Sequence, residues 1–145
     1  MPRGARLALM ALVVAAGFVG VVLPLFANSG APSAEIAGLL PSAVTAGVPV
    51  RADIAVDNVG DSVIAPLCVQ LSGDGARLMS ANFQGLDQVV ATSNRVCGGD
   101  LTGQETISIT LVLALDHRGP ATVRLVPQQG STVIGPVFSA TVAVS

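Results

Sequence analysis

Residues 7–27 form an unbroken run of 21 uncharged residues, and that run removes the start of the chain from any water-facing fold. As a helix rising about 1.5 Å per residue it reaches roughly 31 Å, the thickness of a hydrocarbon core. Arg3 and Arg6 precede it and no basic residue follows until Arg51, so the positive-inside bias keeps residues 1–6 cytoplasmic and sends the rest of the chain out. A cleaved signal peptide is the competing reading: residues 7–23 as its apolar core, Pro24 as helix breaker and small Ala27 at the cleavage position. Leu25 suits an A-x-A site poorly, and the apolar core exceeds the usual length of about 7 to 15 residues. The run therefore reads as a retained single-pass signal-anchor, with secretion as the alternative, and residues 28 onward lie outside the cytoplasm in both. No cysteine near its end invites lipidation, and Arg3 and Arg6 are not adjacent as a twin-arginine signal requires.

Removing the first 27 of 145 residues leaves 118, enough for one domain with a core of its own. Residues 28–34 read as a linker and 35–145 as that domain. It holds five arginines against nine acids, a net of −4, which disfavours polyanionic partners such as nucleic acid. Four Phe with no Trp and no Tyr leave few rings for stacking on bases or sugars. Cys68 and Cys97 are the only cysteines; in an exported chain an isolated pair reads as a structural disulfide. Their spacing is no CxxC redox motif, and one histidine leaves too few soft ligands for zinc.

Beyond the linker, short runs of Val, Ile, Leu and Thr alternate with Gly, Pro, Asp and Asn clusters. This pattern predicts an all-β fold: one Ig-like antiparallel β-sandwich of about seven strands, preceded by the single N-terminal helix. Strands are expected over 35–40 and over 48–56, where Val48, Val50, Ala52, Ile54 and Val56 share the inward face. A third is expected over 63–71 with Leu67, Val69 and Leu71 inward. Cys68 then has the opposite parity, so its partner should come from an outer or edge segment. Residues 106–115 alternate most cleanly, with Ile107, Ile109, Leu111, Leu113 and Leu115 on one face. A hairpin turn at 116–119 should lead into a strand over 121–126, and a turn at 128–131 into a last strand over 138–144.

Residues 73–100 are the least regular. They read either as edge strands and a crossover stapled by Cys97, or as an exposed apolar ridge built on Leu78, Met79, Phe83 and Leu86 that meets a partner protein. No residue set reads as catalytic, cofactor-binding or metal-ligating. His117, between Asp116 and Arg118, reads as a solvated turn histidine. Asp53, Asp57 and Asp61 with Asn58 invite comparison with a calcium loop, but their spacing does not match one, and they read as turn chemistry.

Three pieces carry a family resemblance: Ala46-Gly47-Val48-Pro49-Val50 opening a strand, Asp57-Asn58-Val59-Gly60-Asp61 closing it, and Leu101-Thr102-Gly103-Gln104-Glu105-Thr106 leading into the long alternating strand. In this order they resemble the Ig-like modules of bacterial surface proteins, the CARDB type in particular, over residues 34–145. The resemblance implies a non-enzymatic module of the bacterial cell envelope that acts through protein contact. A secreted structural or cell-wall-associated role without a membrane tether is the alternative.

Overall fold

The computed structural model describes residues 31–84 and 88–145; the expected segments 1–6 and 7–27 lie outside the described residues. Residues 32–145 form one compact unit of two packed β-sheets. The strands are β1 (Ala34–Leu39), β2 (Ala43–Val44), β3 (Val50–Asn58), β4 (Leu67–Gly73), β5 (Ala76–Phe83), β6 (Gln88–Val90), β7 (Arg95–Gly98), β8 (Thr106–Leu115), β9 (Gly119–Gln129), β10 (Thr132–Val133) and β11 (Phe138–Val144). Among the described residues, seven of these are six to eleven residues long and four are shorter. One sheet has the order β1-β3-β8-β5-β6; the other runs β2-β11-β9-β4-β7, with β10 also paired to β9. All pairs are antiparallel except β2 with β11.

The period-2 pattern explains most of this. Ala52, Ile54 and Val56 of β3 and Ile109, Leu111 and Leu113 of β8 are buried, and the register sets Ala52 opposite Leu111 and Ile54 opposite Ile109. Leu67, Val69 and Leu71 of β4 and Val123 and Leu125 of β9 are buried on the second sheet's inner surface, with Leu71 opposite Leu125. A strand with one apolar face must bury it against another such face, and two sheets doing so to each other give the sandwich. Val48 is the exception among the expected inward residues. It is 48% exposed because β3 starts only at Val50, after Pro49, which has no N–H to offer a ladder. Pro66 likewise marks the start of β4 at Leu67, later than expected.

The expected hairpin at 116–119 is instead a crossover between sheets. β8 is flanked by β3 on one side and β5 on the other, so no free ladder edge remains for the next strand and the chain passes to the opposite sheet. A second correction concerns residues 73–100. β5 is an interior strand, paired to both β8 and β6, and Leu78 and Phe83 are core residues at 6% and 0% exposure. They cannot form part of a surface ridge in the folded domain. Phe83 packs so closely on β7 that a Cβ at Gly98 would sit 2.6 Å from its ring, which only glycine avoids.

Two loops at one end are held by Asn58, the last residue of β3, buried at 1% exposure. Its amide Nδ2 donates to the carbonyls of Ser62 (2.7 Å), Leu101 (3.1 Å) and Thr102 (3.0 Å), and its Oδ1 accepts from the Gly60 N–H (3.1 Å). At the seam between β2 and β11, backbone bonds run from the Ala143 N–H to Ser42, the Ser145 N–H to Val44 and the Ala46 N–H to Ser145, at 2.9 to 3.0 Å.

Candidate functional site

Strand alternation gives each sheet an outer face, and the two faces differ in charge. On the five-stranded sheet, register aligns Glu35, Asp57 and Thr106 in one row, Ala37, Ala55 and Ser108 in the next, and Leu39, Asp53 and Thr110 in a third. The Thr110 hydroxyl donates to Asp53 Oδ1 at 2.8 Å, and the Thr106 hydroxyl donates to Asp57 Oδ1. Each hydroxyl fixes one carboxylate oxygen and leaves the other for a further donor. Glu35 stands directly opposite Asp57, a like-charge cross-strand pair that is repulsive until a cation or cationic side chain intervenes. The middle row is made of small side chains, and a depression of about 420 Å³ opens there against Gly38 and Asp53.

The outer face of the six-stranded sheet is different. Cys68, Gln70 and Ser72 of β4, Arg95 and Cys97 of β7, and Thr122, Arg124, Val126 and Gln128 of β9 point outward by strand parity. Among the described residues of these three strands this face carries two arginines and no carboxylate. Cys68 lies opposite Cys97 in the β4–β7 register, and the two are joined in a disulfide. The bond links an interior strand to the edge strand β7, as the parity of Cys68 requires. Gln128 flanks it on β9, and its Oε1 is buried without a hydrogen-bond partner, an arrangement that costs about 1 to 3 kcal/mol. A groove of about 400 Å³ runs beside the disulfide, between Val89 and Val90 of β6 and Arg95 of β7.

Ionisable side chains gather at the end where the β4–β5 and β8–β9 crossovers meet. Arg77 Nε and Nη2 donate to Asp116 at 2.6 and 3.1 Å. That hydrogen-bonded pairing holds the Asp116 carboxyl below its ordinary range and raises the Arg77 guanidinium above its own. The Asp116 N–H donates to the Gly75 carbonyl at 2.9 Å. His117 Nδ1 lies 3.4 Å from Asp74 Oδ1, and its ring covers Gly75, where a Cβ would fall 2.8 Å away. These contacts fasten one crossover to the other. At the opposite end the Thr102 hydroxyl and N–H donate to Glu105 and lower its carboxyl pKa.

The candidate residues from sequence are thus distributed as follows. Cys68 and Cys97 are joined; Leu78 and Phe83 are core; Met79 is 37% exposed; Leu86 lies outside the described residues. Asp53 and Asp57 stand on the outer face, Asn58 is buried, and Asp61 accepts from Gln104, so the four do not converge on one point. Among the described residues no three His, Cys, Asp or Glu side chains form a metal-binding group, and no helix is long and apolar enough to cross a membrane. The charge difference between the faces went unseen in the sequence, because Arg95 and Arg124 become neighbours only once β7 and β9 are placed on either side of β4.

No protein family matches the sequence, and no curated protein matches it. Solved structures do match in fold. AvmM, which catalyzes macrocyclization in alchivemycin A biosynthesis, superposes with a TM-score of 0.58 at 12% identity, over 79% of this chain and 88% of its own. The CARDB domain of the PF1109 protein from Pyrococcus furiosus, solved in complex with di-metal ions, superposes with a TM-score of 0.53 at 16% identity, over 85% of this chain and 95% of that domain. Its solution structure gives 0.52 over 79% and 96%. The sandwich is thus of the CARDB-type Ig-like fold that the strand-end motifs resemble.

Proposed function

We propose that this chain is a non-enzymatic Ig-like module of the bacterial cell envelope, tethered by residues 7–27 and working outside the cytoplasm through protein contact. The observation that carries the reading is the Cys68–Cys97 disulfide between directly opposed residues of β4 and β7, a bond that persists in oxidising compartments. The apolar run and the likeness to a CARDB domain support the same reading. A secreted structural or wall-associated role, with the N-terminal segment removed, is the runner-up. The likeness to AvmM favours a catalyst, but a shared fold carries no chemistry across unrelated sites.

Met79, at the β-bulge of β5 and on its exposed side, offers a test of placement and contact together. A Met79→Cys variant of the full chain in its native host is expected to react with a membrane-impermeant maleimide in intact cells. A photo-crosslinker attached there is expected to join a discrete envelope protein. Labelling only after lysis would overturn the extracytoplasmic placement; labelling without any crosslink would overturn contact through this surface. A mature N-terminus at Asn28 with protein in the medium would replace the tethered form with the secreted one.

A further inference from the structure

We propose that copies of this chain associate head to tail, the arginine face of the six-stranded sheet of one copy seating on the carboxylate face of the five-stranded sheet of the next. Charge is the first argument. Arg95 and Arg124 stand on a face whose β4, β7 and β9 residues include no carboxylate, whereas Asp53, Asp57 and Glu35 outnumber Arg51 of β3 on the outer face formed by β1 and β3. Arg124 is exposed. The chain contains no lysine, and its seven arginines carry guanidinium groups that can each hold a carboxylate through two parallel hydrogen bonds.

Spacing is the second argument. Arg95 is aligned through Gln70 with Val126, two residues along β9 from Arg124. Two inter-strand steps and two residues of rise put the arginine backbones about 12 Å apart. Asp53 and Asp57 are four residues apart on β3, about 13 Å, a difference that side chains absorb. Their carboxylates are already held by Thr110 and Thr106, so little freedom is lost on pairing.

Shape is the third. Between the carboxylates lies the small-residue row of Ala37, Ala55 and Ser108 with its depression; between the arginines lies half-buried Val126. A contact between two different faces is heterologous, so it leaves a dimer with one free face of each kind and adds further copies, into a ring where its rotation closes and into an open-ended array where it does not.

The test uses the full-length protein in detergent, carrying either of two affinity tags. Wild-type copies are expected to co-purify, and the yield is expected to fall between about 0.1 M and about 1 M salt, as the screening length shrinks from about 10 Å to about 3 Å. Arg95→Glu/Arg124→Glu and Asp53→Arg/Asp57→Arg, each confirmed folded by circular dichroism, should each lose self-association by about tenfold. Mixing the two should restore it, because the first keeps its carboxylate face and the second its arginine face. If a double variant does not fold, Arg124→Gln and Asp53→Asn are compared instead, and each should weaken self-association. Wild-type copies that stay apart at low salt would overturn the proposal. So would reversed variants that associate as wild type does, a mixture that stays apart, or an arginine face that captures a different acidic protein while the copies do not meet.

Discussion

Replacing Asn58 by alanine is expected to destabilise the domain by about 3 kcal/mol, a loss of roughly 10 to 15 °C in Tm. The side chain is buried at 1% exposure and serves three carbonyls with its amide protons while accepting from Gly60. Alanine removes all four interactions, the buried one to the Leu101 carbonyl included, and leaves that oxygen only the Ile64 N–H and the Thr102 oxygen only the Glu105 N–H. Four hydrogen bonds made by one buried side chain, each worth about 0.5 to 1.5 kcal/mol net, set the size of the effect. Asn58→Asp is the informative control. It keeps the acceptor for Gly60 but cannot donate and sets a negative charge among three carbonyl oxygens, so it should be at least as damaging. Urea unfolding of both variants decides the matter; a shift below about 0.5 kcal/mol would place the loops' stability elsewhere.

Removal of the disulfide is the second large effect. Cys68 and Cys97 are 29 residues apart, and releasing a loop of that length returns about 3.5 kcal/mol of chain entropy to the unfolded state. Cys68 is fully buried, so Cys68→Ala/Cys97→Ala also loses packing. Melting followed with and without reductant should show the wild type falling to within a few degrees of the double variant, and the double variant indifferent to reductant. A wild type whose melting ignores full reduction would show that the β4–β7 pairing holds without the bond.

What could be read from the sequence followed from unbroken alternation. Residues 106–115 and 138–144 were legible as β8 and β11 to the residue, and the parity of Leu67, Val69 and Leu71 placed Cys68 on the outer surface with an edge-strand partner. β5 was illegible for a definite reason. Its inward set is Ala76 and Leu78 before the bulge and Ala81 and Phe83 after it, so the period of two breaks at Met79 and the segment reads as irregular. Leu78 and Phe83 then looked available for a surface role. Asn58 was read only in part: Asn in an Asp-Asn-Val-Gly string is ordinary turn chemistry, and its Oδ1 does accept from the Gly60 N–H, but nothing local announces the Leu101 and Thr102 carbonyls 43 and 44 residues away. Sheet membership was the remaining gap: alternation assigns faces but not the sheet a strand joins, so the crossover at 116–119 resembled a hairpin.

The parallel seam between β2 and β11 has a mechanical consequence. Tension that enters ahead of Ala43 and leaves through Ser145 pulls the two strands in opposite directions along their own length. Its bonds, among them Ala143 to Ser42, Ser145 to Val44 and Ala46 to Ser145, therefore bear the load together and do not open one after another as an antiparallel hairpin pulled from its open end would. Single-molecule stretching between residues 42 and 145 should meet one abrupt rupture, governed by the unfolding barrier and not by equilibrium stability; gradual yielding at low force would show the seam to be slack. A module built this way resists being drawn out along the line from residue 42 to residue 145.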